Sequence, residues 1–466
     1  MKLFEQLISV NKEKLVSFHV PGHKKTKLYD EYFNQINNIL EIDTTEIPGT
    51  DDLHDPLTCI KSSQDALSEY YNTKESFFLT GGTTCGIYAM IMAVTSPGDT
   101  ILVARDCHRA VYDGMFLGHL NGVYISPEFY SGISIGITKE NVMKAINENP
   151  HAKALVLTYP NYYGIGTDLK AIEAIVHDNN MLLLVDEAHG AHLNLSDELM
   201  LSAIELGADL VVHSSHKSLP SMTQSSVLHL NSDRVNERKL KQMLKLHQSS
   251  SPSYVLMASL DICYDIVVKK GDVLMTRLLR NIKRIRTEYP VFLEPSDLPD
   301  GFKLDPTKLT IMGKKSDWNP VDIENQLREN GIQIEFSNEN NGVFVSSIMN
   351  ETEDFEYLSK TMEMLKFKCY SGIDNMDKSF LSKNMMSLSE AYYSTKKMIK
   401  LKDAENCIST EYIIPYPPGI PMIIPGELIE EDKLELINRM LDKNQKIVGI
   451  DSFEDATIEV VSNEEA

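Results

Sequence analysis

From about residue 76 to residue 230 the chain repeats one arrangement: a short apolar run, a turn, and a segment of helical period. "SFFLT" precedes "GGTTCGIYAMIMAV", "TILVARD" precedes "CHRAVYDGMFLG", and "KALVLTYP" precedes "TDLKAIEAIVHDNN". "MLLLVD" then precedes "EAHGAH", and "DLVVHSS" precedes "HKSLPS". Apolar runs without alternation read as strands buried on both faces, so the pattern predicts an α/β fold with a mostly parallel sheet wrapped by helices. The segment 167–180 sets Leu169, Ile172, Ile175 and Val176 on one helical face, as a crossover packed on a sheet requires. In such sheets the ligand site lies at the carboxyl ends of the strands, where Asp106, Tyr159, Asp186 and Ser214 fall. Beyond about residue 290, "LDPTKLTIMG", "PVDIENQLRENGIQIEF" and "NGVFVSSIM" predict a smaller α+β unit. The expected division is a major domain with its N-terminal segment over 1–290, a small domain over 291–369, and a C-terminal domain over 370–466. In the last of these, "IIPYPPGIPMIIPGE" (413–427) carries five prolines and two glycines, which predicts an extended loop held by other parts of the protein.

Length and composition narrow the class. A chain of 466 residues with 42% hydrophobic and 24% charged residues can bury a large core, and no apolar run approaches the roughly 18 residues of a membrane span. The opening "MKLFEQLISVNKEKLVSFHVPGHKK" has no secretory h-region, so a cytoplasmic protein is expected, with no membrane partner. Six cysteines stand without a C-x-x-C pair, which removes zinc-ribbon and thioredoxin readings. A formal net charge of −22 argues against a nucleic-acid partner, since phosphate neutralisation needs clustered Lys and Arg.

Two stretches carry chemistry. Lys217, in "VHSSHKSLPS", follows one apolar run, and Asp186, in "LLLVDEAHGAH", ends the run before it. A lysine there is either a solvated loop charge or a nucleophile. A Schiff-base lysine for pyridoxal phosphate would need a carboxylate on the pyridinium nitrogen, which Asp186 could supply, with Ala188 small enough for a ring to lie on it. "TGGTTCG" ends a strand and opens a helix, so Gly82, Thr83 and Thr84 could cradle a phosphate; alone, the same motif is an ordinary capped turn. Ser214 and His216 could add donors to that phosphate, and His108 could stack on a cofactor ring. His189 and His192 have a metal-like spacing but no third ligand nearby in sequence, so no metal is expected, and His189 is assigned to the cofactor site.

"HVPGHK" (19–24), "TEIPGTDDLHDP" (45–56), "GGTTCG" (81–86), "DCHRAVYDG" (106–114), "DEAHGAH" (186–192), "HSSHKSLPSMTQSS" (213–226), "QSSSPSYVLMASLD" (248–261) and "PYPPGIPMIIPGE" (415–427) together resemble the Orn/Lys/Arg decarboxylase family. The order of these stretches is the family's, and they extend over nearly the whole chain. The resemblance is to short, biosynthetic-type members of Gram-positive bacteria; the chain begins almost directly at "HVPGHK", without the amino-terminal wing of the large acid-inducible members. It implies fold type I, the aspartate-aminotransferase fold, with pyridoxal 5'-phosphate as cofactor. By the same resemblance Lys217 is the Schiff-base lysine, Asp186 the pyridinium partner and His108 the ring-face residue, with Thr83, Thr84, Ser214 and His216 around the phosphate. The implied reaction is decarboxylation of arginine, lysine or ornithine to agmatine, cadaverine or putrescine in polyamine biosynthesis, by a homodimer or dimer of dimers. A cationic substrate calls for carboxylates, and Asp51, Asp52 and Glu427, with Tyr416 as an apolar wall, are the candidates for contacting it. The rival readings are a fold type I aminotransferase or lyase and a catalytically silent, pyridoxal-binding regulator. The first lacks an arginine clamp in "GVFVSSIM", and the second gives no reason to keep Lys217, Asp186, His108 and the glycine loop together.

Overall fold

The computed structural model describes residues 2–315, 320–338, 341–365, 382–415, 419–442, 446–451 and 456–462. Its centre is a seven-stranded sheet of β1 (Glu75–Leu79), β2 (Thr100–Ala104), β3 (Asn121–Ile125), β4 (Ala154–Thr158), β5 (Leu182–Asp186), β6 (Leu210–His213) and β7 (Ser226–Leu230). The spatial order is β1-β7-β6-β5-β4-β2-β3. Only β7 runs antiparallel to its neighbours, so the sheet is mostly parallel, as the uninterrupted apolar runs predict. Helices α1 (Gly82–Val94), α2 (Arg109–Leu117) and α3 (Leu169–Asp178) follow β1, β2 and β4. Leu169, Ile172 and Val176 of α3 are buried, and Ile175 packs at the edge of the core. Gly86 lets α1 press onto the sheet: a Cβ there would stand 2.6 Å from Leu79 Cδ1 and 2.8 Å from Val212 Cγ2. "EAHGAH" does not continue the helical pattern; after β5 the chain turns and forms a single 3-10 turn at Leu193–Leu195.

One run of polar residues across the sheet is paired internally. Glu187, directly after β5, accepts from His213 Nε2 (2.7 Å), Ser202 Oγ (2.9 Å) and Ala203 N (2.7 Å). His213 meets His229 of β7 (3.1 Å), and His229 meets Ser76 of β1 (2.9 Å). This chain crosses four adjacent strands with every member buried, satisfying groups that would otherwise each cost about 1–3 kcal/mol.

The 35-residue helix α4 (Tyr254–Glu288) leads into the smaller unit, where strands Lys308–Met312, Asn341–Val345 and Phe336–Ser337 form an antiparallel sheet. The N-terminal strand Val16–Phe18 pairs in parallel with Ile332–Ile334 of that unit. The C-terminal region has its own apolar cluster, including Leu401, Ile413, Ile423, Ile429, Ile437 and Ile458. Its proline-rich stretch is held as the prolines require. Ile413 and Ile423 exchange backbone hydrogen bonds, and Arg105 donates to the carbonyls of Pro421 (2.6 Å) and Met422 (3.2 Å).

Candidate active site

Strand ends build the site. A cavity of about 230 Å³ opens where β1, β2, β4, β5 and β6 finish, lined among others by Gly82, Thr83, His108, Asp186, His189 and Lys217. Thr84, Ala188, Ser214 and His216 also line it, so every residue assigned to the cofactor from sequence comes to one place.

At one end of the cavity α1 begins at Gly82, and its N-cap Gly81 gives no side-chain hydrogen bond, which leaves the first N–H groups and positive dipole end of the helix beside the space. Gly82 has φ +75°, a left-handed turn that suits glycine. Thr83 Oγ1 hydrogen-bonds Ser214 Oγ, joining the end of β1 to the end of β6. An anion fits there. At the other end Asp186 is buried and accepts the N–H of Ala188 at 3.1 Å. Burial raises its carboxyl pKa above the usual range, and Lys217 opposes that rise.

Lys217 lies on the one-turn helix Ser215–Ser218 after β6, and its Nζ is 3.0 Å from His189 Nε2. Burial lowers its ammonium pKa, while Asp186 and Glu335 act the other way. His189 is held well below its ordinary pKa, first by burial and then by Lys217 and Lys308, so it is neutral. Its Nδ1 is buried with no hydrogen-bond partner among the described residues, a polar atom left over for a ligand. His108 caps α2, its Nδ1 accepting from Ala110 N at 3.2 Å, with its ring in the cavity wall. His192 turns away to Thr307 (3.0 Å) and Asp305 (3.1 Å) of the small unit, so the two histidines do not share a ligand. Anion cup, amine, carboxylate and an unsatisfied imidazole around one cavity fit pyridoxal phosphate, with Thr83, Thr84, Ser214 and His216 toward its phosphate and Asp186 toward its ring nitrogen.

The expected substrate carboxylates are not brought to this cavity. Asp51 is a turn anchor: it accepts from the N–H groups of Asp52, Leu57, Thr58, Ile60 and Lys61. Burial works to raise its pKa, but those N–H groups outweigh it and hold the value at about 2. Asp52 accepts from His54 N (2.8 Å) in the same turn, outside the cavity lining. Glu427 is fully buried in a two-point pair with Arg105 (3.0 and 2.8 Å) and joins the C-terminal region to β2. Turn chemistry and a distant arginine, neither visible as such in "GTDDLHDP" or "IPGE", account for all three. Tyr416 lies outside the described residues. The proline-rich stretch still reaches its own site, through Ile420 in the cavity wall.

Sequence reasoning missed Asn161 and Tyr162, which line the cavity from the turn after β4. Asn161 donates to Ser134 O (2.7 Å) and accepts from Tyr163 N and Ile165 N (each 3.0 Å). Tyr162 sets its ring edge-on to His189 (centroids 4.8 Å apart) and donates to Glu335 at 2.6 Å. Aromatics in a Pro-Asn-Tyr-Tyr-Gly turn at a strand end were the available signal.

The "HVPGHK" motif clasps the lysine loop. Gly22 N donates to His216 O at 2.6 Å, and Ser347 of the small unit donates to Gly22 O. A Cβ on Gly22 would stand 2.5 Å from Leu219 O, a backbone atom. Gly22→Ala therefore displaces the segment that carries Lys217. We expect about a tenfold or greater loss of kcat/KM, in line with the sensitivity of catalysis to an ångström of misplacement, with cofactor retention measured by absorbance after gel filtration falling in parallel.

The sequence matches the Orn/Lys/Arg decarboxylase major domain over residues 2–298 and the C-terminal domain of the same family over 374–452. An arginine decarboxylase of Bacillus subtilis (strain 168) is 34% identical over 463 residues, covering 96% of this chain and 94% of that protein. An arginine decarboxylase of Bacillus anthracis is 32% identical, covering 98% and 97%. The inducible lysine decarboxylase of Escherichia coli (strain K12) is 23% identical, covering 92% and 75%. Among solved structures, the Francisella novicida lysine decarboxylase LdcF superposes with a TM-score of 0.77 at 21% identity, covering 95% of this chain and 77% of that one. Sphingomonas wittichii serine palmitoyltransferase gives 0.56 at 17% identity, covering 75% and 86%, which places the fold among type I enzymes. A sheet with one reversed strand, a half-buried lysine and a buried carboxylate at adjacent strand ends, and sequence likeness over almost the full length agree: this chain belongs to the Orn/Lys/Arg decarboxylase family of pyridoxal-phosphate enzymes.

Proposed function

We propose that this decarboxylase acts on L-arginine, releasing carbon dioxide and agmatine for polyamine biosynthesis. The observation that carries the choice of substrate is the gap in likeness: the Bacillus proteins named arginine decarboxylase are 32–34% identical to this chain, and those named lysine decarboxylase 22–23%.

The bound cofactor supplies an electron sink for the pair left when carbon dioxide departs. The protein supplies position and protons. Asp186, which a cation at the ring nitrogen would keep ionised, would set the cofactor's polarity, while the start of α1 and Ser214 would hold its phosphate. Lys217 would hold the cofactor, and neutral His189 sets its Nε2 3.0 Å from the Lys217 Nζ. This pair can return a proton to the substrate's α-carbon. Ala188, Ile87 and Ile420 give the cavity an apolar lining beside its polar groups, favouring loss of a carboxylate's charge over its retention.

The working unit in this reading is a homodimer. Its support is the N-terminal segment, where Leu3 (74% exposed), Leu40 (72%) and Leu57 (77%) present apolar surface that a second copy would cover.

The test is direct: purified protein with pyridoxal phosphate is incubated separately with arginine, lysine and ornithine, and carbon dioxide and amine are followed. Agmatine from arginine, at a kcat/KM at least about a hundredfold above the other two, is the expected result; a site that pairs with a guanidinium's fixed donors discriminates on that scale. Cadaverine or putrescine as the principal product would replace the substrate, and no carbon dioxide from any would remove the reaction.

A further inference from the structure

The N-terminal strand Val16–Phe18 and the small unit's Ile332–Ile334 run side by side in parallel, with Phe18 opposite Ile334. The residues that follow the two strands therefore meet, and Val20 N donates to Glu335 Oε2 at 2.7 Å. Glu335 Oε1 accepts from Tyr162 OH at 2.6 Å. At this contact lies a second cavity, of about 460 Å³, lined among others by Val20, Pro21, Ile334 and Glu335 and, like the cofactor cavity, by Tyr162. Tyr162 is thus a wall common to both. Its ring stands edge-on to His189, whose Nε2 is 3.0 Å from Lys217 Nζ, and its hydroxyl ends on Glu335.

Glu335 is half-buried, and the two groups that donate to it are neutral. Lys24, Lys217 and Lys308 feel its charge, but no cation pairs with it directly among the described residues. The cations of the second cavity are engaged elsewhere. Lys24 Nζ donates to the carbonyls of His19 and Val345, Lys25 Nζ to Asn11 Oδ1 (2.9 Å), and Arg328 to Gln333 Oε1 (2.8 Å) and Glu13. Burial, and then Lys24, lower the pKa of His19 and bring that of His23 to about 4, so both imidazoles are neutral. Among the described residues of this lining Glu335 is the one carboxylate. A carboxylate drawn out of water without a counter-ion is costly, and a bound cation relieves that cost. Two hydrogen bonds leave each of its oxygens a further acceptor position, which suits the parallel donors of a guanidinium. Val20, Pro21 and Ile334 add apolar surface beside it for a methylene stem.

We propose that Glu335 is a specificity-determining residue that binds the distal cation of the substrate, with the second cavity receiving the end of the substrate's side chain. The inference rests on the reading of this chain as a decarboxylase of a basic amino acid. An arginine side chain spans roughly 6 Å from α-carbon to guanidinium carbon. A substrate lying along the Tyr162 ring from its His189 end therefore brings its cation to the carboxylate at the hydroxyl end. Glu335 takes the part that Asp51, Asp52 and Glu427 do not fill, since the fold turns all three to other partners.

The experiment uses the full-length, cofactor-loaded protein and Glu335→Gln. The amide can accept from Val20 N and donate to the Tyr162 hydroxyl, so the variant keeps the wall and loses the charge. Calorimetric titration with agmatine, and with pentylamine, which has the same amino head and no distal cation, reads the contact without turnover. Agmatine is expected to bind the variant at least about tenfold more weakly, the difference between a charge-assisted hydrogen bond and a neutral one, with pentylamine moved by less than about twofold. Glu335→Asp, which keeps the charge on a shorter stem, is expected to hold agmatine better than Glu335→Gln does. In turnover, KM for arginine should rise about tenfold in Glu335→Gln with kcat nearly unchanged, the mark of a contact made equally before and during reaction. Equal weakening of agmatine and pentylamine, or an unmoved agmatine affinity in a folded variant, overturns the inference. If the parent turns over no basic amino acid yet binds agmatine more tightly than Glu335→Gln does, the reaction is overturned and the cation site stands.

Discussion

Lys217→Ala is expected to lose amine production by more than about 10⁴-fold, the scale seen when a covalent catalyst is removed from a site that acts as a unit. Borohydride-stable cofactor should vanish with it. The cup at the start of α1 and the Asp186 carboxylate are untouched, so the variant still binds pyridoxal phosphate, now released by gel filtration. Stability should not fall with activity. Lys217 is half-buried with its charge disfavoured, so deleting the amine removes a desolvation cost that the fold now bears. A melting temperature at or above the parent's separates loss of chemistry from loss of structure. Retained turnover would take Lys217 out of its role, and with it the reading of "HSSHKS" as the cofactor loop.

What the sequence made legible follows from which interactions are local. The buried strands β1, β2, β4, β5 and β6 each carry an uninterrupted apolar run, and a residue at a strand end is placed by the strand itself. That is why Asp186, Lys217, Thr83 and Ser214 were found to share a cavity. β3 and β7 escaped notice because one is a sheet edge with half-exposed positions and the other hides His229 among its apolar residues. The carboxylates that do not line this cavity were misplaced for the opposite reason. Whether an Asp faces a ligand or folds back on its own turn depends on N–H groups up to ten residues away, and Glu427 on an arginine 322 positions earlier. Gly22 shows the same limit from the other side: "HVPGHK" marked the family, but its contact with the lysine loop spans almost 200 residues and exists only in three dimensions.

Glu427→Ala should lower stability by about 3–5 kcal/mol, the cost of stranding a buried charge when its partner is removed. Arg105 is fully buried, and without Glu427 its guanidinium keeps, among the described residues, the carbonyls of Pro421 and Met422 and the Tyr112 hydroxyl. The released carboxylate also leaves Ile424 N without its 3.0 Å acceptor. Both losses fall on the stretch that carries Ile420 into the cavity, so cofactor should be retained less well at temperatures where the parent holds it. Urea midpoints with and without cofactor measure the effect. The double variant Arg105→Met/Glu427→Leu is expected to regain most of the lost stability, because apolar groups of similar volume replace a buried pair at little cost. A substrate contact would behave otherwise: KM for the basic amino acid would rise with the urea midpoint unmoved, and the second substitution would rescue nothing. That outcome would return Glu427 to the substrate pocket and leave the joint between β2 and the C-terminal region to be held by Arg105's carbonyl contacts alone.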